Sequence, residues 1–298
     1  MKYLLVDAKN TLWRAASVMQ LSGGGFKTGG TFGFMKMLLR AHDELGGKVI
    51  ICWDDWEKGP AVRKSMYADY KLRNYDAERK ALVEEITAQA VDLRTLLACL
   101  GVRQTRAVGW EADDVMATLA RKLTKDHSNN VVIYTGDKDL FQCITGFVTV
   151  ARPRTNGNID EYNSNLFTSE FGIPVQQYVD YKALVGDDSD NIPGCKGVGP
   201  VAAVAMLRAY PSVESILHAA PATRVWTELN LTPRWANLVQ ASKENIVLSK
   251  KLAKVNDNVE LRSRIGYPDD KAAKKILSKY QMSSLLLQFA RLKELRWG

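Results

Sequence analysis

Acidic residues are concentrated at a few points of this 298-residue sequence, and their positions predict chemistry with metal ions. Three apolar runs that we interpret as buried strands, 2–7, 48–54 and 131–137, each end in an aspartate. Other acids form the motifs WEADD, GDKD and GDDSDN. Hard divalent cations prefer oxygen ligands, and two such ions suit phosphodiester cleavage. The nine candidate metal ligands are Asp7, Asp54, Glu111, Asp113, Asp114, Asp137, Asp139, Asp187 and Asp190.

Each acidic motif, taken alone, also has a purely structural interpretation. Acids at 111–114 suit the N-terminus of a helix through capping and the helix dipole. An isolated D-x-D, as at 137–139, is weak evidence for a site. A turn explains the glycine, serine and asparagine of 186–191, but not its accumulation of acid. The hypothesis of a metal site therefore depends on these segments meeting in space.

The order of elements predicts that they do meet. Helical patterns at 31–45 and 81–100 alternate with the strands, which indicates an α/β fold with a parallel sheet flanked by helices. Ligands of such sheets bind outside the carboxyl ends of the strands, where the aspartates lie. The second helix is expected to bury one apolar stripe, made of Leu82, Ile86, Val91, Leu93, Leu96, Leu97 and Leu100.

Composition narrows the class of protein. Hydrophobic residues make up 46% and charged residues 25%, as in ordinary globular proteins, and no long apolar segment is present. We therefore expect a soluble, intracellular protein of about two domains by length. The four cysteines are too far apart for a zinc motif, so any metal should be held by oxygen. The net charge of +8 favours a polyanionic partner such as nucleic acid.

Two further segments are suited to nucleic acid. Residues 58–80 carry a net charge of +4 with interleaved tyrosines, a composition that stacks bases and binds single-strand backbone, although a solvated helix would also explain it. The segment 192–200, IPGCKGVGP, leads into an apolar helix and could present backbone N–H groups to a phosphate. A tight connection between helices is the alternative there. Residues 211–298 read as helical with basic surfaces.

Taken together, these residues resemble the 5′ nuclease family, which includes bacteriophage flap endonucleases and exonucleases and the small nuclease domain of bacterial DNA polymerase I. The resemblance covers residues 3 to about 220 and runs in order through seven motifs. They are LLVDAKNTLWRA, TGGTFGFMKMLL, the WD at 53–54, RKSMYADYKLR, WEADDVMATLA, YTGDKDLFQ and VGDDSDNIPGCKGVGPVAA. Among these, the nine acids occupy the positions of the family's metal ligands.

The resemblance also implies a domain plan and further site residues. It implies a nuclease core at 1–185, including a helical arch at about 58–95 over the site, and a helix-hairpin-helix and C-terminal helical region at 186–298. Tyr70, Lys71 and Arg73 look like arch residues that meet the scissile phosphate. The expected DNA contacts are Arg63, Lys64, Lys196, Gly197, Val198 and Gly199.

The family resemblance further implies its ligands and its reaction. The cofactors would be two or more Mg²⁺ ions, with Mn²⁺ as a substitute and K⁺ at the hairpin. The substrate would be DNA with a 5′ flap, nick or free 5′ end, with RNA–DNA hybrid as a further candidate. We expect a monomer without membrane attachment, working in the cytoplasm, such as a phage replication protein.

Three departures from the family pattern stand out. The family spaces its arch as Y-K-x-x-R, whereas Tyr70-Lys71-Leu72-Arg73 is one residue shorter. Arg63 lies nine residues after Asp54, with Asp55 offering a competing alignment. Val201 stands where a basic residue commonly follows the hairpin, which shifts the expected phosphate contact to Lys196.

Two other classes of protein stay open from the sequence. A phosphatase with an aspartate nucleophile would explain the D-x-D, but would need neither hairpin nor arch. A non-catalytic protein that binds DNA junctions on the same fold should have lost some of the acids, whereas all nine are present.

Overall fold

The computed structural model describes residues 1–19, 21–23, 25–221, 226 and 231–297. Its strands are β1 (Lys2–Asp7), β2 (Ser22–Gly23), β3 (Phe26–Lys27), β4 (Lys48–Cys52), β5 (Arg103–Arg106), β6 (Asn130–Tyr134), β7 (Val148–Pro153), β8 (Ile159–Tyr162) and β9 (Arg262–Ile265). Its helices up to residue 185 are α1 (Ala8–Val18), α2 (Gly29–Leu45), α3 (Ala61–Met66), α4 (Ala77–Cys99), α5 (Ala112–Leu123), α6 (Ser164–Phe171) and α7 (Tyr178–Val185). The remaining helices are α8 (Pro200–Ala209), α9 (Val213–Ala219), α10 (Pro233–Ala241), α11 (Lys243–Ala253), α12 (Asp270–Lys279), α13 (Ser283–Leu287) and α14 (Phe289–Glu294).

A single large sheet organises the described residues, with strand order β8-β7-β6-β1-β4-β5-β9. The five inner strands are parallel, and the edge strands β8 and β9 pair antiparallel to their neighbours. This arrangement confirms the predicted α/β class. It also places the carboxyl ends of β1, β4, β5 and β6 at one edge of the sheet, where the acidic motifs follow.

Alternate residues of the inner strands enter two hydrophobic cores, one on each face of the sheet. Leu5, Ile50 and Ile133 pack on the face covered by α5, α7 and α8. Leu4 and Ile51 pack on the other face, against α1, α2, α4 and α12. The first core includes side chains from both sides of the predicted boundary at 185–186, so the two parts of the chain share it.

The elements expected from the sequence are present with small shifts at their ends. The strand expected at 48–54 ends at Cys52, and the helix expected at 81–100 begins four residues earlier, at Ala77, where Asp76 caps it. The side chain of Val91, predicted in the buried stripe, is instead 51% exposed. Within the described ranges, no helix is both long and apolar enough to span a membrane.

The segment predicted as the arch is helical at both ends and irregular in between. Helices α3 and α4 flank residues 67–76, which follow no regular secondary structure. This irregular segment is tied to the loop after α7, because the Lys71 N–H donates to the Asp190 carbonyl and Asn191 Nδ2 donates to the carbonyls of Asp69 and Leu72. The segment therefore lies directly against one of the acidic motifs.

Two glycines shape that acidic loop after α7. Gly186 has φ +77° and Gly194 has φ +61°, both in the left-handed region that favours glycine. A Cβ on Gly194 would lie 2.5 Å from the Gly186 nitrogen, so the two backbones touch. This contact closes the loop that carries Asp187 and Asp190.

We predict that Gly194→Ala destabilises the protein by about 2 kcal/mol or more, because the new methyl group meets backbone and the residue must keep a positive φ. Urea denaturation measures the change. Gly146→Ala is the matched control, since a Cβ there would meet nothing within 4 Å. Equal stabilities of the two variants would show that the loop does not depend on this contact.

Candidate active site

The acidic motifs converge on one cavity of about 790 Å³ at the carboxyl edge of the sheet. Both acidic and basic side chains line it, the basic ones being Lys9, Arg14, Lys64, Lys71, Arg73 and Arg79. Six of the nine predicted ligands line it directly, which are Asp7, Asp54, Glu111, Asp113, Asp137 and Asp190. The convergence predicted from the order of strands and helices is therefore observed for six of the nine acids.

Asp7 is the central carboxylate, at the end of the middle strand β1. It caps α1 by accepting the Asn10 N–H at 3.0 Å, and it accepts the Thr135 hydroxyl at 2.8 Å. Burial, together with the negative charges of Asp54 and Asp137, raises the pKa of Asp7 to about 7, against the opposing effect of the Asn10 hydrogen bond. A nearby cation would reverse this shift.

Asp54 lies beside Asp7 and already has a cation. Lys9 Nζ is 2.6 Å from Asp54 Oδ2, and the Ala112 N–H donates to Oδ1 at 2.9 Å. Burial by itself would raise the pKa of Asp54, but Lys9 and the amide outweigh it and hold the pKa below its usual value. Lys9 was not among the residues predicted from the sequence, although its position two residues after Asp7 could have indicated it.

The start of α5 divides its three acids between two environments. Glu111 and Asp113 face the cavity, and burial plus the charges of Asp137 and Asp7 raise the pKa of Asp113 well above its usual value. Asp114 is fully buried and forms a two-point ion pair with the Arg63 guanidinium, at 2.6 and 2.7 Å. It also accepts the Asn256 N–H at 2.8 Å.

This pair changes the interpretation of two predicted site residues. Arg63, expected to contact DNA, is 5% exposed and also donates to the Leu252 carbonyl at 3.1 Å. A guanidinium enclosed in this way cannot reach a DNA phosphate. Asp114, expected as a metal ligand, has its oxygens engaged below the cavity. The three-residue spacing from Glu111 predicted one shared face, but the capping box at the helix start turns Asp114 inward.

The arch residues meet the cavity through Glu111. Lys71 Nζ lies 2.6 Å from Glu111 Oε1 and 3.3 Å from Asp190 Oδ2. Burial disfavours the ammonium, but Glu111, Tyr70 and Asp190 together hold the pKa of Lys71 well above its usual value. The Tyr70 hydroxyl donates to Glu111 Oε2 at 2.9 Å, and the Tyr70 side chain is only 3% exposed. In this arrangement Tyr70 orients Glu111 and does not present a free ring to a substrate.

Arg73 lies at the rim of the cavity. Its guanidinium donates to the Ser189 carbonyl at 3.0 Å and is 3.7 Å from Asp190 Oδ1. Burial of Asp190, with Asp187 and Glu111 nearby, raises the pKa of Asp190 in spite of Lys71. The short spacing between Lys71 and Arg73 thus still brings both cations to the same carboxylate.

The remaining acids form a second group beside the cavity. Asp137 lines the cavity and accepts the Asp139 N–H at 2.8 Å. Lys182 on α7 contacts Asp139 Oδ1 at 2.8 Å and also pairs with Asp187. Burial and Asp137 raise the pKa of Asp139 to about 6, with Lys182 opposing them. Asp139 and Asp187 therefore lie behind Asp137, bridged by a lysine that the sequence reasoning did not identify.

The predicted hairpin is exposed, and its residues differ in what they can bind. Val198 is 4% exposed and its N–H donates to the Cys195 carbonyl at 2.9 Å, so Val198 shapes the turn. Gly197 has φ +86°, and Gly199 precedes Pro200, the first residue of α8. In the part of the chain that the structure describes, the N–H groups of these glycines have no acceptor, and Lys196 is exposed beside them.

Helix α1 supplies a wall of the cavity that the sequence reasoning missed. Its lining residues follow the spacing of one helix face and are Asn10, Trp13, Arg14 and Ser17. Arg79 of α4 lies 4.6 Å above the Trp13 ring. The periodic spacing after Asp7 was the available signal. Lys64, expected to contact DNA, is exposed and lines the same cavity.

The donor set fits a hard divalent cation. The cavity offers six carboxylates, and the raised pKa values of Asp7 and Asp113 show that their negative charge is under-compensated. The ammonium groups of Lys9 and Lys71 contact Asp54 and Glu111, carboxylates that a metal ion would otherwise bind. With these contacts made, no three acidic, histidine or cysteine side chains of the described residues are arranged to hold one metal ion.

An α/β sheet whose carboxyl edge gathers acids beside basic side chains is an arrangement that suits enzymes that cleave phosphodiesters with divalent metal ions. The comparison with protein families agrees. Residues 2–172 match "5'-3' exonuclease, N-terminal resolvase-like domain", and residues 173–276 match "5'-3' exonuclease, C-terminal SAM fold". The chain belongs to the 5′-3′ exonuclease family, which confirms the resemblance predicted from its motifs. The domain boundary at 185–186 stays a prediction.

Curated relatives support this assignment. The chain is 32% identical over 269 residues to a 5'-3' exonuclease of Bacillus subtilis, covering 87% of this chain and 85% of that one. It is 30% identical over 293 residues to the thermostable DNA polymerase I of Thermus thermophilus, covering 97% of this chain. It spans 33% of that polymerase's length, so the whole polymerase's activities are not transferred to it.

Solved structures share the fold. The bacteriophage T5 5'-exonuclease with bound zinc superimposes with a TM-score of 0.68 at 20% identity, covering 96% of this chain and 98% of that one. A T5 flap endonuclease complex with DNA and metal ions gives 0.66 at 18% identity, covering 94% and 100%. At these identities the likeness establishes the fold alone.

Arg63→Met is expected to destabilise the protein by roughly 3–5 kcal/mol, because it leaves the fully buried Asp114 carboxylate without its partner. Chemical denaturation measures this loss. Arg40→Met is the control, since the Arg40–Glu44 pair is nearly half exposed and should contribute less than about 1 kcal/mol. If Arg63→Met costs no more than Arg40→Met, the Arg63–Asp114 pair is not the structural element described above.

Asp7→Asn should stabilise the metal-free protein at neutral pH. A carboxyl whose folded pKa is raised stabilises the fold at low pH, and this contribution is lost as pH rises from about 4 to 7. The stability difference between variant and wild type should therefore grow over this range to roughly 2–4 kcal/mol and then level off. Denaturation in EDTA at several pH values tests it, with the exposed Asp188→Asn as control. A stability difference between Asp7→Asn and wild type that does not change with pH would contradict the raised pKa of Asp7.

Proposed function

We propose that this protein hydrolyses phosphodiester bonds of DNA near a 5′ flap, a nick or a free 5′ end, as a metal-dependent 5′ nuclease. The observation that carries the proposal is the cavity of six carboxylates, in which Lys71 pairs with Glu111 and Asp190, and Arg73 with Asp190. In such a site the carboxylates can bind divalent metal ions, and the basic side chains can bind the substrate phosphate. Family membership supports this reaction class.

Mg²⁺ is the proposed cofactor, with two or more ions bound and Mn²⁺ able to replace it. The residues that would hold the ions are the cavity acids, with Asp7, Asp113 and Asp137 as the central ones because mutual repulsion acts among them. When bound, Mg²⁺ supplies positive charge that stabilises charge developing on the phosphoryl oxygens. K⁺ is proposed as a further cation at the hairpin.

The protein's own cations would hold the substrate in place. Lys71 and Arg73 lie next to the carboxylates and can donate to a phosphate once their contacts with Glu111 and Asp190 are exchanged. Tyr70 keeps Glu111 in position by its hydrogen bond. The exposed N–H groups of Gly197 and Gly199, with Lys196, would bind the phosphates of the duplex. Binding of substrate and binding of metal ions would thus both replace the ion pairs that Lys71 and Arg73 form with Glu111 and Asp190.

The proposed substrate is DNA, with RNA–DNA hybrid as a further candidate, and the proposed working form is a monomer in the cytoplasm, where such DNA would be met. Cleavage of labelled 5′-flap, nicked and blunt duplexes, with Mg²⁺ or with EDTA, tests the activity. Flap cleavage should require Mg²⁺ and should be abolished by Asp137→Ala while duplex binding stays roughly intact. Absence of Mg²⁺-dependent cleavage, or full activity of Asp137→Ala, would overturn the proposal.

Lys71→Ala should slow the chemical step by about 10²- to 10³-fold, with a smaller effect on DNA affinity, because it removes a cation beside the reacting phosphate. Single-turnover rates at saturating enzyme separate the two effects. Lys64→Ala, which removes an exposed cation of the same cavity, is the matched control and should act mainly on affinity. An unchanged rate for Lys71→Ala would reduce it to a backbone contact.

Gly199→Asp should weaken binding of duplex DNA without harming the fold. A Cβ at Gly199 would meet nothing within 4 Å, and aspartate is a favourable residue before the first turn of a helix. Its negative charge would nevertheless repel a phosphate. Gly199→Ser is the neutral control. The affinities of both variants for duplex and single-stranded DNA are measured at several salt concentrations. If Gly199→Asp and Gly199→Ser bind duplex DNA equally well, the hairpin is not a phosphate site.

A further inference from the structure

A second cavity, of about 560 Å³, shares helix α4 with the active-site cavity, because Val83 and Thr87 line the first and Val91 and Arg94 line the second. It lies between α4 and the strands β5 and β9. Its lining includes Trp53, Trp56, Arg94, Arg106, Arg262 and Arg264. Consecutive residues contribute to the two cavities, since Trp53 lines the second cavity and Asp54 lines the active-site cavity. We call the second cavity the Trp–Arg groove.

The aromatic side of the Trp–Arg groove is held in place. The Trp53 indole N–H donates to Gln104 Oε1 at 3.0 Å. The Arg94 guanidinium lies 5.3 Å from the Trp53 ring centroid and 4.4 Å from that of Trp56. The guanidinium of Arg106 lies 4.2 Å from the Trp56 ring. Trp56 keeps 49% of its surface exposed, so part of the indole faces solvent beside the two guanidinium groups that lie over its ring.

The charges of the Trp–Arg groove are unbalanced. Arg106 is paired with Asp55 at 2.5 Å and with Glu57 at 2.7 Å. The other three guanidinium groups, those of Arg94, Arg262 and Arg264, have no carboxylate partner within the residues that the structure describes. Burial and then the like charge of Arg106 lower the pKa of Arg94, which shows that its charge is poorly solvated. An anion would relieve this.

The strand register gathers these cations on one face. Arg262 pairs with Arg106, and Arg264 with Gln104, in the antiparallel ladder of β5 and β9. Alternate residues of a strand point to the same face, so the two free arginines stand in a row beside the tryptophans. β9 is the last strand of the sheet and is exposed along its length. A ligand that binds along β9 can therefore reach it directly from solvent.

We infer that the Trp–Arg groove binds single-stranded DNA, with a base packed against the exposed part of the Trp56 indole and backbone phosphates contacting Arg262 and Arg264. Unpaired arginines beside an exposed indole ring suit phosphate and base together, as in proteins that bind single strands without sequence preference. A duplex would hide its base faces, whereas an acidic peptide would use the arginines but not the ring. The place of the groove next to the acidic cavity suits the single-stranded arm of the proposed substrate.

Binding of a fluorescein-labelled oligothymidylate, followed by anisotropy in EDTA, tests the inference without cleavage. Trp56→Ala should weaken binding about fivefold or more, and Trp56→Phe should retain most of it. Arg262→Gln/Arg264→Gln should also weaken it and should reduce the slope of log K against log salt by about 1.4. Lys271→Gln/Lys275→Gln removes the same charge from exposed positions on α12 and is the matched control. Its effect should be clearly smaller.

The contribution of the bases is tested with an abasic oligomer of equal length. It should bind more weakly than oligothymidylate, and Trp56→Ala should not weaken it further. Unchanged oligothymidylate binding by Trp56→Ala and by the arginine variant would overturn the inference, as would equal binding of abasic DNA or equal competition by a polyglutamate of the same charge. If Trp56→Ala does not fold, the arginine variant and the abasic oligomer still decide.

The activity assay separates this inference from the proposed nuclease. Arg262→Gln/Arg264→Gln should cleave a nicked duplex like wild type and a substrate with a long 5′ single-stranded arm more slowly at low substrate concentration. Equal effects on both substrates would contradict a role for the groove in binding the arm. If the wild type cleaves neither substrate, the proposed function fails, while the binding result stands by itself.

Discussion

Compensation of crowded carboxylates is the constraint on which the site depends. A parallel sheet brings the ends of its strands together, and in this sequence those ends carry acids. Each acid is therefore placed near others, and burial together with the neighbouring negative charges raises the pKa of Asp7 and of Asp113. The fold offsets this repulsion with lysines and two arginines, Arg63 and Arg73, that pair with particular carboxylates, and it leaves part of the negative charge facing the cavity.

Two kinds of compensation can be distinguished. The Arg63 guanidinium is buried, where it pairs with Asp114 at two points and lies 2.9 Å from Glu111 Oε2, and it also links α3 to the carbonyl of Leu252 at the end of α11. It serves the fold. The contacts of Lys9 and Lys71 lie on the cavity wall, where their side chains are 58% and 22% exposed. These contacts can be exchanged for a metal ion or a phosphate, and the proposed reaction requires that exchange.

Sequence patterns predicted the parts of this arrangement that depend on local order. The strands, the helix after Trp110 and the convergence of Asp7, Asp54 and Asp137 follow from periodicity and topology. The partners of the arginines and lysines could not be predicted, because Arg63 meets Asp114 across 51 positions and Lys71 meets Glu111 across 40. Such pairings are set by the packing of helices around the sheet, which a local pattern does not contain.

The most direct test of this account is the melting temperature of the protein as a function of Ca²⁺ concentration in the absence of DNA. A cation that binds only the folded state stabilises it by mass action, and Ca²⁺ accepts the same oxygen ligands without requiring turnover. The account predicts a melting temperature that rises steadily through millimolar Ca²⁺ in the wild type and much less in Asp137→Ala. A melting temperature that does not change with Ca²⁺, or that rises equally in both proteins, would contradict it.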